Sequence, residues 1–244
     1  MKLFLFGYGQ MGKEVEKIIL KRGHELVGVY DPYHQYKFER EKFEQADLII
    51  DYTTPGSAVY NITQCFENNK PIVVGTTGWY HEFDQVVEKC REFNGTLFYA
   101  TNFSIGVNIL FKLNELLGKL LDHQSGYKVE LFESHHIHKK DAPSGTALTL
   151  ANSLIKNIKH LEELKILPEG SIETVNENAL PVYFKREGDV VGRHRIAIQS
   201  DIDRLCIEHE AFNRSGFATG TLVASEWVLG KKGIFTMQDL FDNL

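Results

Sequence analysis

The chain lacks the cysteine pattern that holds many small secreted proteins together. Its 244 residues include three cysteines, Cys65, Cys90 and Cys206, which stand far apart and form no CxxC pair. This spacing provides neither a disulfide framework nor a zinc knuckle, and it suits a protein of the reducing cytosol. A chain of this length buries about 70 % of its unfolded surface, so it needs no cross-links. We therefore predict a cytoplasmic protein.

Long apolar runs and an excess of positive charge are missing as well. No run approaches the roughly 18 apolar residues of a membrane span, and the first residues form a strand pattern instead of a cleavable leader. The 27 lysines and arginines are outnumbered by 33 aspartates and glutamates, which gives a formal net charge of −6. A protein that binds the nucleic-acid backbone needs a basic surface. The sequence therefore predicts neither a membrane nor a nucleic-acid partner.

The first hundred residues contain a regular alternation of short β-rich runs and helical patterns. Met11, Val15, Ile18 and Ile19 recur at helical spacing after the first run. Strands that alternate with helices indicate βαβ units and a doubly wound parallel sheet of the Rossmann type, an α/β fold. The predicted strands are 3–6, 26–30, 48–51, 72–74 and 97–99, and the later helices are 58–67 and 82–93.

The pattern changes after Phe103, where we predict a long helix over 105–121. Its apolar face consists of Ile109, Leu113, Leu116, Leu117 and Leu120. Two later runs, 191–199 and 204–209, are joined by a short turn, as in a β-hairpin. These features predict an inserted α+β domain with a mostly antiparallel sheet.

The remaining segments complete the predicted domain organisation. We expect a dinucleotide-binding domain of 1–104 and 215–244, and an inserted domain of 105–214. The other expectations are a strand at 127–132, a helix from Ser144, a poorly packed loop at 156–178, a helix at 217–229 and a short turn at 237–241.

The first chemical motif is a glycine-rich turn between the first strand and the first helix. In a GxGxxG turn Gly7 permits the tight bend, Gly9 lets the backbone approach a pyrophosphate, and Gly12 lets helix and strand pack closely. Asp31 ends the second strand, where an acid accepts hydrogen bonds from an adenosine ribose. The alternative is a βα turn without a ligand. The residues predicted to bind the cofactor here are Gly7, Tyr8, Gly9, Gln10, Met11, Gly12 and Asp31.

Two further strand ends carry small polar residues. The carboxyl ends of strands in an open α/β sheet face the ligand crevice, so these residues are candidates for contact with a flat ring. An ordinary turn is the alternative for Gly75, Thr76 and Thr77, and a helix cap near Ile105 is the alternative role for Asn102. The two sets are Gly75, Thr76 and Thr77, and Ala100, Thr101, Asn102 and Phe103.

The densest motif is the loop from Glu133 to Ala147, with three histidines within four positions and two lysines after them. A solvated polar loop and a metal site are alternatives, but no cysteine or carboxylate pair has ligand spacing nearby. The third interpretation is an anion-binding acid–base site, since histidine titrates near neutrality and lysine carries positive charge. The segment from Pro143 to Thr146 then opens a helix whose free N–H groups can bind a carboxylate. Two adjacent anion sites predict a small substrate with two carboxylates.

These motifs resemble the 4-hydroxy-tetrahydrodipicolinate reductase (dihydrodipicolinate reductase) family of lysine and diaminopimelate biosynthesis. The likeness also covers three later segments, 186–188, 192–194 and 213–220, and so spans nearly the whole chain in the family's order. It implies an NAD(P)H-dependent reductase that forms tetrahydrodipicolinate, with a cofactor domain and a substrate domain that builds a homotetramer.

The resemblance also assigns roles to residues. His135 matches the acid–base histidine, and Lys139 matches the proton-donating lysine that also binds substrate. The substrate-carboxylate contacts match His136, Ser144, Gly145 and Thr146, while 75–77 and 100–103 match nicotinamide contacts. No metal is implied.

One position departs from the family pattern. Many members have an arginine after the ribose-binding acid, whereas Asp31 is followed by Pro32. We therefore expect NADH as the cofactor, with NADPH also accepted. Two rival functions are an oxidoreductase for another small cyclic or keto acid and a dinucleotide sensor that regulates transcription. The second would need a DNA-reading element, and the sequence has neither a helix-turn-helix pattern nor a basic stripe.

Overall fold

The structure, a computed structural model, describes residues 1–124 and 126–243. The chain divides into two compact units, each with its own sheet. Unit 1 comprises Met1–Ile105 and Arg214–Leu244, and unit 2 comprises Gly106–Asn213. These boundaries lie within one residue of the predicted ones, and the role of each unit stays a prediction. No helix in the described ranges is long and apolar enough to cross a membrane.

Unit 1 contains a six-stranded sheet in which every pair of neighbours is parallel. The strand order is β11-β5-β4-β3-β1-β2, so the direction of winding reverses beside β1 and the predicted doubly wound sheet is confirmed. The sequence missed one three-residue strand, β11. The strands are β1 (Lys2–Phe6), β2 (Glu25–Tyr30), β3 (Leu48–Asp51), β4 (Ile72–Val74), β5 (Thr96–Tyr99) and β11 (Gly233–Phe235).

Helices cover both faces of this sheet. Val15 and Ile19 of the first helix pack in one core with Leu222 of the penultimate helix, while Ile62 and Phe66 pack in the other. Residues 237–241, predicted as a turn, belong to a helix that Thr236 and Asp239 cap reciprocally. The helices are α1 (Gln10–Lys21), α2 (Arg40–Gln45), α3 (Pro55–Glu67), α4 (Phe83–Glu92), α7 (Ser215–Val228) and α8 (Met237–Asp242), with 3₁₀ turns at Pro32–His34 and Tyr80–Glu82.

Unit 2 contains a five-stranded sheet of order β10-β9-β6-β8-β7. The prediction of a mostly antiparallel sheet is wrong, because β6, β8 and β7 run parallel and only the β10–β9 and β9–β6 pairs are antiparallel. The prediction of a loop over 156–178 is wrong in part, since β7 lies within it. The elements are α5 (Ile105–Leu121), β6 (Lys128–His135), α6 (Gly145–Asn157), β7 (Glu163–Pro168), β8 (Ala179–Arg186), β9 (Gly192–Gln199) and β10 (Arg204–Ala211).

The core of unit 2 forms where α5 and α6 cover one face of the sheet, with Leu117 and Leu154 against Leu131. Of the apolar face predicted for α5, Leu117 is buried, whereas Ile109, Leu113, Leu116 and Leu120 are each more than 40 % exposed. The helix therefore presents two apolar rows, one to its own core and one to the surface.

Candidate active site

The glycine-rich turn of unit 1 has the geometry that a dinucleotide requires. Gly7 has a φ of +87°, and a Cβ there would lie 2.2 Å from the Tyr52 carbonyl oxygen. A Cβ on Gly12 would lie 2.3 Å from the Gly7 carbonyl oxygen, so helix and turn pack directly. Beside Gly9 there is open space, with no described atom within 4 Å of a Cβ position. This open position at the start of α1 fits the approach of a pyrophosphate to the helix N-terminus.

Asp31 is held at the end of β2 by its neighbours. Its buried carboxylate accepts hydrogen bonds from the main-chain N–H of Tyr8 at 2.6 Å and from those of Tyr33 and His34 at 2.9 and 3.1 Å. The ring Nδ1 of His34 lies 2.9 Å from its Oδ2. Burial alone raises the pKa of Asp31, but these hydrogen bonds outweigh it and lower the pKa below its ordinary value. Asp31 is therefore an anion at neutral pH.

An open cavity of about 270 Å³ adjoins the residues that bond Asp31. Lys13 and His34 both line it. Sequence reasoning missed Lys13, because it searched for cations only after Asp31. Arg40, further along the chain, donates to Glu44 at 2.6 Å. The one cation of fixed charge among the lining residues is therefore Lys13.

The end of β4 supports the sheet through hydrogen bonds. The buried Thr76 hydroxyl donates to Asp51 at 2.6 Å and accepts from the Thr53 N–H at 2.8 Å. A Cβ on Gly75 would lie 2.1 Å from the Tyr52 ring, which explains the glycine. The Thr76 side chain therefore joins two strand ends, and contact with a nicotinamide through the main chain here, or through the exposed Thr77, stays a prediction.

The residues at the end of β5, like those at the end of β4, have structural roles. The side chains of Ala100 and Phe103 are buried in the core of unit 1, whereas Thr101 is exposed. Asn102 Oδ1 accepts a hydrogen bond from the Ser104 N–H at 2.9 Å, just before α5 begins at Ile105. This contact belongs to the turn before the helix, so the capping alternative for Asn102 stays a prediction. Cofactor contact by the four residues stays a prediction.

In unit 2 the histidine-rich loop leads into α6, whose first turn is capped by Ser144. The Ser144 Oγ accepts a hydrogen bond from the Ala147 N–H at 3.1 Å. Gly145 is exposed at this N-terminus, and Thr146 is half-buried. The beginning of α6 thus presents main-chain N–H groups and the positive end of the helix dipole, as predicted for a carboxylate site.

Strand register brings a buried polar cluster together behind this helix. Glu133 of β6 lies directly opposite His194 of β9, and His135 lies opposite Arg186 of β8. Arg186 donates to Glu133 Oε1 at 2.8 Å, and the Ser144 N–H donates to Oε2 at 3.0 Å. Sequence reasoning named Arg186 and His194 only through the resemblance and gave Glu133 no role. The cluster is therefore a finding of the structure.

The two buried imidazoles of the cluster, those of His135 and His194, are neutral at neutral pH. Their ring centroids are 5.1 Å apart. Burial lowers the pKa of His135 to about 4, although Glu133 acts in the opposite direction. Burial and the neighbouring His135 lower the pKa of His194 to about 3. His135 is thus a neutral hydrogen-bonding group in the free chain.

In the loop between His135 and Ser144, an ion pair holds the side chain of Lys139. The Lys139 ammonium lies 2.8 Å from both carboxylate oxygens of Asp141, and Arg186 donates to the Asp141 carbonyl at 2.5 Å. The His136 ring is half-buried beside His138, with centroids 6.2 Å apart. The predicted residues of unit 2 therefore gather at one end of its sheet.

Glu133, His135 and His194 also offer the donor types of a metal site. One ligand atom from each lies within 4.8 Å of the others. However, both oxygens of Glu133 already accept hydrogen bonds, from Arg186 and from the Ser144 N–H. A cation would have to bind beside the Arg186 guanidinium. The expectation of no metal stays a prediction, which activity after dialysis against EDTA tests.

A doubly wound parallel sheet, a glycine-rich turn and an anchored acid after the second strand define a dinucleotide-binding protein of the Rossmann type. The family model "Dihydrodipicolinate reductase, N-terminus" matches residues 1–103, and "Dihydrodipicolinate reductase, C-terminus" matches residues 106–241. The chain belongs to the dihydrodipicolinate reductase family, whose members are NAD(P)H-dependent oxidoreductases.

Individual relatives agree with the family match. The chain is 38 % identical to the 4-hydroxy-tetrahydrodipicolinate reductase of Christiangramia forsetii over 244 residues, which is 100 % of this chain and 99 % of the relative. It is 32 % identical to the enzyme of that name from Campylobacter jejuni subsp. doylei, over 100 % and 98 % of the two chains. A solved dipicolinate-bound dihydrodipicolinate reductase from Paenisporosarcina sp. TG-14 has the same fold, with a TM-score of 0.77, 21 % identity and 97 % coverage of both chains.

Proposed function

We propose that this chain reduces 4-hydroxy-tetrahydrodipicolinate to tetrahydrodipicolinate in diaminopimelate and lysine biosynthesis. Family membership supplies the reaction class, and one observation supports the dicarboxylate. The open N-terminus of α6 follows directly on a loop that carries Lys139 and is tied by Arg186. A helix N-terminus and a cationic loop are two separate anion sites. A rigid substrate with two carboxylates occupies both.

The proposed contacts follow from these groups. The main-chain N–H groups of Gly145 and Thr146 bind one carboxylate, together with Ser144 at the cap. Lys139 and His136 bind the other, and the ammonium of Lys139 then exchanges Asp141 for the substrate. Both interactions are charge-assisted hydrogen bonds, which are about twice as strong as neutral ones.

The proton is proposed to come from Lys139, with His135 as its acid–base partner. The reduced dinucleotide, when bound to unit 1, supplies the hydride from its nicotinamide. The reaction consumes one proton from the protein and releases one water from the hydroxylated substrate. Because His135 is neutral in the free chain, it hydrogen-bonds the reacting ring first. Two incoming carboxylates raise its pKa, since an opposite charge nearby favours the protonated form.

We also propose a cytoplasmic homotetramer that uses NADH at least as well as NADPH. The surface row of α5 and the outer face of the unit 2 sheet support an oligomer. On that face Phe132 stacks on Tyr183 at 5.0 Å, and the Arg195 guanidinium lies 4.3 Å from the centre of the Phe132 ring. Light scattering should give a mass of about four times 27.9 kDa. A monomeric mass would contradict this assembly.

The activity is tested in a coupled assay with aspartate semialdehyde, pyruvate and the synthase that joins them. We expect absorbance of the reduced cofactor to fall only when synthase, both precursors and this chain are present. Mixtures without the synthase are the control. Oxidation of NADH with other imine or keto acids, but not in the coupled assay, would favour the rival oxidoreductase.

A further inference from the structure

Glu133 is a fully enclosed carboxylate that the proposed reaction does not use. Its side chain has 0 % exposure. Its two oxygens have different partners: Oε1 accepts from Arg186 of β8, whereas Oε2 accepts from the Ser144 N–H that precedes α6. Burial of a charge is costly unless it is paired and hydrogen-bonded. The cluster therefore stabilises Glu133 as an anion and fixes the direction of both oxygens.

The same Oε2 atom faces two imidazoles. It lies 3.5 Å from Nδ1 of His135 and 3.8 Å from Nε2 of His194. The second ring already has a partner, since its Nε2 lies 3.2 Å from the Ser144 hydroxyl. The first does not: among the described residues, the buried Nδ1 of His135 has no hydrogen-bond partner. A separation of 3.5 Å is slightly long for a hydrogen bond, and such contacts often shorten when substrate binds.

The other ring nitrogen of His135 lies beside Gly192. A Cβ at position 192 would lie 3.1 Å from Nε2, so the glycine leaves room for this edge of the ring. The two nitrogens of His135 thus have different surroundings, a carboxylate at Nδ1 and the Gly192 main chain near Nε2. A proton on Nδ1 would point at Glu133 and leave Nε2 as the free lone pair.

We propose that Glu133 is a positioning residue that holds His135 as the Nδ1–H tautomer and stabilises its imidazolium once substrate is bound. The inference rests on the proposed role of His135. Other charged or titratable groups act on this ring as well: His194 from β9, Arg186 from β8, and Lys139 and Asp141 from the loop. Glu133 and Asp141 favour the charged ring, whereas Lys139 and Arg186 disfavour it. The Asp141 carboxylate is paired with Lys139.

Glu133→Gln tests this role because it keeps the size of the side chain. The amide oxygen can still accept from Arg186, but its NH₂ group then faces the Ser144 N–H and Nδ1. An NH₂ donor beside Nδ1 favours a ring whose Nδ1 accepts a hydrogen bond, so His135 should change to the Nε2–H tautomer. Glu187→Gln is the matched control. Glu187 is near the same ring, since its N–H donates to the His135 carbonyl at 2.9 Å, but its carboxylate accepts from Ser134.

The readouts are the ring nitrogen NMR signals of ¹⁵N-histidine-labelled full-length protein and steady-state kinetics. The signal of His135 is identified by its loss in His135→Gln. We expect the Nδ1–H form in the wild type and in Glu187→Gln, and the Nε2–H form in Glu133→Gln. In the complex with pyridine-2,6-dicarboxylate, the pKa of His135 should fall by about one unit or more in Glu133→Gln.

For the kinetics we expect kcat to fall roughly thirtyfold in Glu133→Gln, about 2 kcal/mol, with KM changed less than about threefold. An Nε2–H ring in the wild type would overturn the inference, even if Glu133→Gln did not fold. Unchanged kcat and an unchanged tautomer in a folded Glu133→Gln would overturn it too. An inactive wild type in the coupled assay would instead contradict the proposed function, and the tautomer measurement would stand separately.

Discussion

The ammonium of Lys139 lies 2.8 Å from each carboxylate oxygen of Asp141, two residues further along the loop. Burial alone raises the pKa of Asp141, but the hydrogen bond from Lys139, a main-chain hydrogen bond and the charges of Lys139 and Arg186 together outweigh it and lower the pKa. The Asp141 side chain is more than half exposed, and ion pairs of that kind contribute little to stability. The value of this pair is therefore positional. It holds the ammonium at this end of the loop, where the proposed substrate carboxylate would replace Asp141.

Lys139→Ala is expected to lower kcat/KM by about a thousandfold or more, because one ammonium serves both charge pairing and proton supply. The affinity for NADH, measured by fluorescence titration, should hardly change. Lys140→Ala is the control, since its side chain is exposed and adjacent in sequence. A loss below roughly tenfold in kcat/KM, about 1.4 kcal/mol, would remove Lys139 from the chemistry.

Gly192→Ala should impair catalysis while the protein still folds. The added Cβ would lie 3.1 Å from Nε2 and 3.4 Å from Cδ2 of His135, so the ring must move by a few tenths of an ångström. We expect kcat to fall roughly tenfold and the free energy of unfolding to fall by about 1–2 kcal/mol. Gly56→Ala is the control, because open space surrounds Gly56. Wild-type kcat in Gly192→Ala would show that the Nε2 edge of His135 is not used.

Unit 1 was predictable because each of its signals is local. A buried strand, a glycine turn and an amphipathic helix follow one another, and Gly7 and Gly12 are required by contacts within the same turn or with the adjacent strand end. Three strands were missed. β11 has three residues, β7 is an edge strand that ends at Pro168, and β8 contains Pro181, which weakens a strand pattern.

The buried cluster of unit 2 was not predictable from spacing. Glu133 and Arg186 are 53 residues apart, and Glu133 meets His194 because β6 and β9 pair in one particular register. A shift by one residue would turn each side chain to the opposite face of the sheet. The motif therefore indicated which residues carry chemistry, while the register decided which carboxylate faces His135.

Stability should depend on pH through the two buried imidazoles. The pKa values of His135 and His194 in the folded protein are about 4 and about 3, whereas an unfolded histidine titrates near 6.5. Below about pH 6.5 the unfolded chain therefore binds protons that the folded chain does not. The free energy of unfolding should fall as pH decreases, by up to about 1.4 kcal/mol per pH unit for each imidazole.

His194→Gln isolates this effect, because it removes one titrating group. Urea unfolding between pH 5 and 6.5, above the range where most carboxylates titrate, should give a shallower pH dependence in His194→Gln than in the wild type. His81→Gln, at an exposed histidine, is the control and should keep the wild-type slope. Parallel slopes for all three proteins would show that His194 is not protonated on unfolding in this range.

The choice of cofactor depends on the charges around Asp31. Its anionic carboxylate suits the ribose hydroxyls of NADH and repels a 2′-phosphate unless a cation intervenes. Pro32 has no N–H to offer that phosphate, and Arg40 is bonded to Glu44. Lys13 lines the adjoining cavity and is the cation that can offset the repulsion. We therefore expect NADH to be preferred or used comparably, with NADPH still accepted.

Steady-state kcat/KM for both cofactors at one ionic strength measures this balance. Lys13→Ala should lower kcat/KM for NADPH about tenfold and for NADH less than about threefold, because only the 2′-phosphate needs the ammonium. Lys17→Ala is the control on the same helix, since its ammonium lies 2.6 Å from Glu14. A wild-type preference for NADPH above roughly tenfold, about 1.4 kcal/mol, would show that the cation outweighs Asp31. An equal loss with both cofactors in Lys13→Ala would instead assign Lys13 to a part that they share.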